Sequence, residues 1–328
     1  MKKIPRGLAV LGWLGALAVL GAGALALYAV TFRPAQRPAS TEAVDRLPNR
    51  LARGQYLVTS VLDCFGCHSD RDWKRYAGPL AGPPGAGSKD CLTAEHGAPG
   101  RICFPNITPD PEAGLGRWTD GEILRAVREG VDKDGKALFP MMPYHEYRSL
   151  SDEDARAVVA YLRILPAVRS SPPVSRIDFP VNLFIKLAPR PLPAAVPVMD
   201  PADRTDYGWY LATVAGCGFC HSPLDGRQQP VAGKELSGGQ LFRGPWGAVR
   251  SSNLTPHATG LGARTREDFI GQFRALGSAG AAVPKGGHNT PMPWLTYGGM
   301  TDADLSAIYD YLRTVPAIEN RVEKYREK

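Results

Sequence analysis

The stretch Cys64-Phe65-Gly66-Cys67-His68 recurs as Cys217-Gly218-Phe219-Cys220-His221. Two cysteines three positions apart, followed at once by histidine, form the attachment pattern for c-type haem. The chemistry sets the spacing. On a short helical turn the two sulfurs reach two vinyl groups of one porphyrin and form thioethers, and the adjacent imidazole lies beneath the ring as proximal iron ligand. Cys64, Cys67, Cys217 and Cys220 are therefore expected to hold two covalent haems c, with His68 and His221 on the irons. Zinc and redox-thiol sites are the competing readings. A zinc site wants a second ligand pair some distance away, and a thioredoxin-like pair sits in a βαβ context. Neither accompanies these motifs.

The two motifs lie 153 positions apart (217 minus 64) in 328 residues, which fits about two domains. The formal charge of +7 is not a patch. Lys and Arg against Asp and Glu number 17 to 16 over residues 46–170 and 10 to 10 over 200–316, so the surplus lies at the ends and in the linker. No nucleic-acid surface is expected.

Lys2, Lys3 and Arg6 precede an uncharged apolar run from Gly7 to Phe32, 26 residues long. That length can span a bilayer as a helix and exceeds a signal-peptide core of about 7–15 residues. The expectation is an uncleaved anchor in the bacterial inner membrane, N-terminus in the cytoplasm. The haem domains then stand in the periplasm, the side on which c-type haem is attached. The competing reading is a removed signal, cut near Ala24-Leu25-Ala26. The chain divides into anchor (1–33), tether (34–48), first haem domain (49–170), Pro-rich linker (171–199), second haem domain (200–318) and charged tail (319–328).

The repeat extends well beyond the motifs. Gly54-Gln55-Tyr56-Leu57 is echoed by Gly208-Trp209-Tyr210-Leu211, and Asn106-Ile107-Thr108-Pro109 by Asn253-Leu254-Thr255-Pro256. Gly114-Leu115-Gly116 matches Gly260-Leu261-Gly262. Thr119 with Glu122, and Thr265 with Asp268, are capping-box patterns opening a helix in each copy, which Gly130 and Gly277 should end. Ser151 with Asp154, and Thr301 with Asp304, open a last helix that stops at Pro166 or Pro316. Strands are nearly absent from this pattern, so both copies read as all-α.

Met142-Pro143-Tyr144-His145-Glu146-Tyr147 faces Met292-Pro293-Trp294-Leu295-Thr296-Tyr297. Met142 lies 74 residues after His68 and Met292 lies 71 after His221. A haem that only moves electrons wants both axial positions filled, and a thioether opposite histidine raises the potential. Met142 and Met292 are the expected sixth ligands. Met141 is the substitute for Met142, but only Met followed by Pro is shared by both copies. His96, His145, His257 and His288 have no echo and are expected to serve as surface or hydrogen-bonding residues.

Cys91 and Cys103 lie in a Gly- and Pro-rich insertion of the first copy and, outside the cytoplasm, are expected to form a disulfide. In the linker, Phe179, Leu183, Phe184, Ile185 and Leu187 are too apolar for a free strap. Packing on the domains is the plain expectation, and a partner- or membrane-contact segment is the sharper one.

Through Cys64 to His68, Asn106 to Asp110, Gly114 to Trp118, Met142 to Tyr147 and the Ser151 to Leu165 helix, the chain resembles the multihaem cytochrome c subunits of bacterial membrane-bound alcohol, gluconate and sugar dehydrogenases. The resemblance covers nearly everything after residue 46. It implies an all-α protein: two tandem class I cytochrome c domains behind an N-terminal transmembrane helix. It further implies a periplasmic electron carrier without catalysis of its own, taking electrons from a dehydrogenase or quinol donor and passing them to an oxidase or quinone-linked complex. There are departures. Such subunits usually carry three haems, whereas this chain has two motifs, and Arg264 stands where the first copy has Trp118. The competing function is a dihaem enzyme, a peroxidase or thiosulfate-oxidising cytochrome, which needs one haem with an open sixth position. A methionine offered to each haem counts against it. A haem sensor ranks last because no output domain is present.

Overall fold

A computed structural model describes residues 6–31, 34–226, 229–278, 282–283 and 287–325. Helix α1 (Arg6–Thr31) leads into an extended segment. The first repeat runs through α2 (Pro48–Tyr56), a π turn (Leu57–Val61), the short turn α3 (Cys64–Cys67), strands β1 (Cys91–Leu92) and β2 (Gly100–Cys103), α4 (Asp120–Glu129), α5 (Tyr144–Tyr147) and α6 (Asp152–Leu162). The linker holds β3 (Arg176–Ile177) and α7 (Val181–Phe184). The second repeat has α8 (Arg204–Val214), α9 (Cys217–His221), β4 (Leu241–Gly244), β5 (Gly247–Arg250), α10 (Arg266–Gly277), α11 (Trp294–Tyr297) and α12 (Asp302–Leu312).

In each repeat the first and last helices cross with backbone against backbone. A Cβ placed on Gly54 would lie 1.9 Å from the Ala157 carbonyl oxygen, and one on Gly208 would lie 1.9 Å from that of Ala307. Only glycine permits this approach of α2 to α6 and of α8 to α12. The helices start where their caps dictate. Thr119 and Thr265 form full capping boxes with Glu122 and Asp268, and Ser151 and Thr301 accept from the backbone N–H of Asp154 and Asp304. Gly130 ends α4 in the left-handed region at φ 73°. Gly277 instead stays inside α10, which Ser278 ends. Its Cα packs so close to Gly298 that a Cβ there would sit 2.6 Å from the Gly298 Cα.

The two repeats share one buried core, in which Leu57, Val58, Leu150 and Val158 are continuous with Leu211, Val214, Leu305 and Ile308. A reciprocal pair of hydrogen bonds joins them. The Tyr210 hydroxyl donates to Asp154 at 2.6 Å, and the Tyr56 hydroxyl donates to Asp304. Each phenol oxygen also accepts from the N-cap of the same helix, Ser151 N–H at 3.4 Å and Thr301 N–H at 3.1 Å. The pair breaks symmetry at one point: Arg53 adds a two-pronged bond to Asp154 at 2.8 and 2.7 Å, and Tyr207 occupies the matching place in the second copy.

Two expectations are corrected, and the two connecting segments are described more closely. The chain is not all-α, because β1-β2-β3 form an antiparallel sheet and β4-β5 a hairpin. These ladders arise where the first copy's insertion folds back on itself and on the linker, and where the second copy turns at residues 245–246. The transmembrane helix is also withdrawn, since no helix among the described residues is long and apolar enough to cross a membrane. The basic Lys2 and Lys3 lie outside the described residues. Residues 34–48 are no free tether. Arg37 pairs with the buried Glu129 at 2.7 Å, Val44 is buried, and a Cβ on Gly121 would meet the Ser40 carbonyl. The linker is pinned by polar as well as apolar contacts: Leu192 is buried, and Leu183 and Ile185 are half-buried. Arg148 donates to the carbonyls of Arg190 and Pro191, and Val196 exchanges hydrogen bonds with Asp152. Phe179, Phe184 and Leu187 remain 78%, 61% and 68% exposed.

Cys91 and Cys103 face each other across β1 and β2 and are joined by a disulfide with Cα atoms 4.4 Å apart. Replacing both by serine is expected to cost about 3 kcal/mol for a loop of this length, read as a lower urea midpoint with a steeper slope, because the uncrosslinked unfolded chain exposes more surface. Gly54→Ala is expected to cost about 3 kcal/mol, the upper end for overpacking; a loss below about 1 kcal/mol would mean that α2 and α6 part freely.

Candidate functional site

Each Cys-x-x-Cys-His turn follows a residue in the left-handed region, Asp63 at φ 51° and Gly216 at φ 70°. That reversal takes the chain from its first helix straight into the turn. Cys64, Cys217 and Cys220 are half-buried and Cys67 is exposed. Surrounding protein nevertheless pushes all four thiols up to about 12, burial being the leading cause. A redox-active or metal-binding cysteine needs the opposite shift. Among the described residues no group of three or more His, Cys, Asp or Glu could hold a metal ion.

The two histidines are held alike. His68 Nδ1 lies 2.7 Å from the Pro105 carbonyl oxygen, and His221 Nδ1 lies 2.7 Å from that of Ser252. A carbonyl only accepts, so Nδ1 carries the proton and Nε2 keeps its lone pair. Burial lowers the pKa of both rings, which favours the neutral form that binds iron. An imidazole fixed through one nitrogen and basic at the other fits an axial haem ligand.

The residue after each of those carbonyls explains the repeated Asn-x-Thr-Pro. Asn106 Oδ1 accepts from Thr108 N–H and Oγ1 at 2.8 and 2.7 Å, while its amide donates to the Val168 carbonyl at 2.7 Å. Asn253 repeats this with Thr255 and the Ile318 carbonyl. The segment after the last helix is thereby tied to the loop that orients the histidine. Arg163 and Arg313, from the Tyr-Leu-Arg triplets, hold the Gly-Leu-Gly turns through the carbonyls of Leu115 and Leu261.

Met142 and Met292 are partly buried against the core. Their loops are anchored by the tyrosine five positions on. The Tyr147 hydroxyl donates to the Leu62 carbonyl at 2.6 Å, and that of Tyr297 donates to the Ala215 carbonyl. Each methionine loop is thus bonded to the end of the helix that feeds its own Cys-x-x-Cys-His turn. Met141 is half-buried next to Met142. The remaining histidines have other partners: His96 bonds Thr93, His257 bonds Thr259, His288 stacks on Tyr325 and His145 leans on Tyr144.

The second methionine loop meets the first turn across the domain interface. Thr296, in the second methionine loop, donates to the Asp63 carboxylate at the first turn. After burial, the charges that raise the Cys220 thiol are Cys217 and then, from the other domain, Cys67, Glu146 and Asp63. Sequence reasoning missed this juxtaposition, as it missed the Tyr56 and Tyr210 bonds. The only signal was that both tyrosines recur at one place in the repeat.

The cytochrome c family model matches residues 51–166 and again 206–316. Among curated relatives, the cytochrome c subunit of the quinone alcohol dehydrogenase of Gluconobacter oxydans is 31% identical over 90% of this chain and 60% of its own length. The fructose dehydrogenase cytochrome subunit of Gluconobacter japonicus is 31% identical over 81% of this chain and 53% of its own length. A diheme cytochrome c-type protein of Cereibacter sphaeroides is 29% identical over 93% of this chain and 98% of its own length. The chain thus spans little more than half of the dehydrogenase subunits and nearly all of the diheme protein.

Asn106→Ala is expected to cost about 2–3 kcal/mol by leaving buried Thr108 and Val168 groups unpaired. It should also loosen His68, visible as a broadened haem absorption spectrum at unchanged haem content.

Proposed function

This chain belongs to the cytochrome c family, and on that premise we propose that it is a periplasmic dihaem relay. It takes electrons from a dehydrogenase subunit or a quinol donor and hands them to a respiratory acceptor, an oxidase or quinone-linked complex. The observation that supports the reading is the bond across the interface from Thr296, in the second methionine loop, to Asp63 at the head of the first Cys-x-x-Cys-His turn. Covalently bound haem c supplies the one-electron store. The protein's part is placement and tuning. Cys64, Cys67, Cys217 and Cys220 would hold the two porphyrins, and His68 with Met142, and His221 with Met292, would ligate the irons. The thioether favours the reduced iron and raises the potential relative to histidine alone.

Two features support the compartment. The Cys91–Cys103 disulfide suits an oxidising environment, and c-type haem is attached outside the cytoplasm. The donor class rests on the dehydrogenase subunits named above.

The test is direct. The purified protein should carry two haems per chain that resist solvent extraction, and it should be reduced by a membrane quinone-linked dehydrogenase and reoxidised by a terminal oxidase. Met142→Ala and Met292→Ala should each remove half of the sulfur-to-iron charge-transfer absorption and lower one of the two potentials. Rapid capture of carbon monoxide or cyanide by one haem of the unmodified protein at neutral pH would overturn the relay in favour of a dihaem enzyme.

A further inference from the structure

Both histidines are braced by a three-residue segment that the sequence repeat does not announce. Gly85-Ala86-Gly87 and Leu236-Ser237-Gly238 share only their last glycine. Their backbones nevertheless match. Gly85 and Leu236 stand at φ 79° and 61°, and Gly87 and Gly238 at φ 82° and 75°. A leucine takes that conformation only where its surroundings fix it.

The surroundings match as well. Ser69 and Ser222, each directly after a haem histidine, accept from the N–H of Gly85 and Leu236 at 2.9 and 3.1 Å. The carbonyls of Gly85 and Leu236 accept from the N–H of Ile107 and Leu254, both at 2.8 Å, in the loops that orient the imidazoles. Gly87 and Gly238 donate to the backbone carbonyls of His68 and His221 at 2.9 and 2.6 Å. The same glycines lie against the orienting loops. A Cβ on Gly238 would sit 2.5 Å from the Ser252 oxygen, the atom bonded to His221 Nδ1. One on Gly87 would sit 2.9 Å from Asn106 N and 3.0 Å from Phe104 O, on either side of Pro105. Each segment thus fills the gap between a histidine's own backbone and the carbonyl that holds its ring.

The outer side of each segment is closed from beyond the last helix. Ser170 Oγ donates to the Ala86 carbonyl. Asn320 stands two residues after Ile318, as Ser170 stands two after Val168. Its amide donates to the carbonyls of Ser237 and Gly238 at 2.9 and 3.3 Å. Both residues are tied in turn to the repeated asparagines, Ser170 Oγ to the Asn106 amide at 3.1 Å and the Asn320 carbonyl to the Asn253 amide at 3.4 Å. A hydroxyl in one copy and an amide in the other therefore hold the same point of the same brace.

We infer that Ser170 and Asn320 are positioning residues for the two haem histidines, each pressing its brace onto the carbonyl that orients the ring. Neither touches a histidine, and the role presupposes the two-haem reading above. A hydrogen bond at Nδ1 fixes the ring and makes Nε2 a stronger donor, and a stronger donor favours the oxidised iron. Loosening a brace weakens that bond and so raises the potential of the haem in the same domain.

The experiment is a spectroelectrochemical titration of the intact dihaem protein, with electron paramagnetic resonance of the oxidised state. Asn320→Ala should keep both haems, raise one midpoint potential and shift the g values of one low-spin signal. Ser170→Ala should do the same to the other midpoint and the other signal. Asn320→Ser, which puts the first copy's residue in the second copy's place, should return both readouts towards the unmodified protein. Unchanged midpoints and g values in the alanine variants at full haem content would overturn the inference. So would both variants moving the same wave, or Asn320→Ser behaving like Asn320→Ala. If one alanine variant does not fold, the other decides alone, by one wave raised or none. An unmodified protein without two covalent haems would instead refute the two-haem reading.

Discussion

In each half of the molecule two helices touch backbone to backbone, and most of the architecture follows from that contact. Gly54 against Ala157 and Gly208 against Ala307 leave no room for a side chain. The crossing brings the start of each last helix within reach of the opposite repeat. Tyr56 and Tyr210, two positions beyond the crossing glycines, then reach Asp304 and Asp154. Residues that begin a helix in one domain therefore also fasten the other. The joint is both polar and apolar, since the same helices supply one continuous core.

The loops that orient His68, His221, Met142 and Met292 hang from this frame by hydrogen bonds that occur twice. Pro105 and Ser252 carbonyls set the imidazoles, Asn106 and Asn253 bind those loops to the chain beyond the last helix, and Tyr147 and Tyr297 tie the methionine loops to the helices preceding the turns. Duplication makes each of these roles recognisable, because an accidental contact has no reason to recur. The differences between the copies are the informative remainder. The disulfide-closed insertion, the Arg53 bond to Asp154 and the Asp63 carboxylate belong to the first copy, and in each case the second has a neutral or shorter alternative.

Local signals were readable in proportion to their range. Thr119 with Glu122 and Thr265 with Asp268 are three residues apart, and spacing alone announces them as caps. Gly277 misled, because a glycine near a helix end serves equally as terminator or as a site of close packing, and here Gly298 packs on it. The linker was legible in part. Leu192 is buried while Phe179 and Phe184 stay exposed, and the carbonyls taken by Arg148 are recorded in no hydropathy pattern. The strands were invisible because ladders of two to four residues depend on partners far along the chain.

The sequence by itself determined the haem chemistry and the twofold repeat, because covalent attachment and helix capping are matters of which atoms lie within a few residues of one another. Only the tertiary structure decided that the two repeats close on one another. The bond from Tyr56 to Asp304 spans 248 positions and that from Thr296 to Asp63 spans 233. Contacts of that separation exist only once both helix crossings have formed and the shared core has been buried.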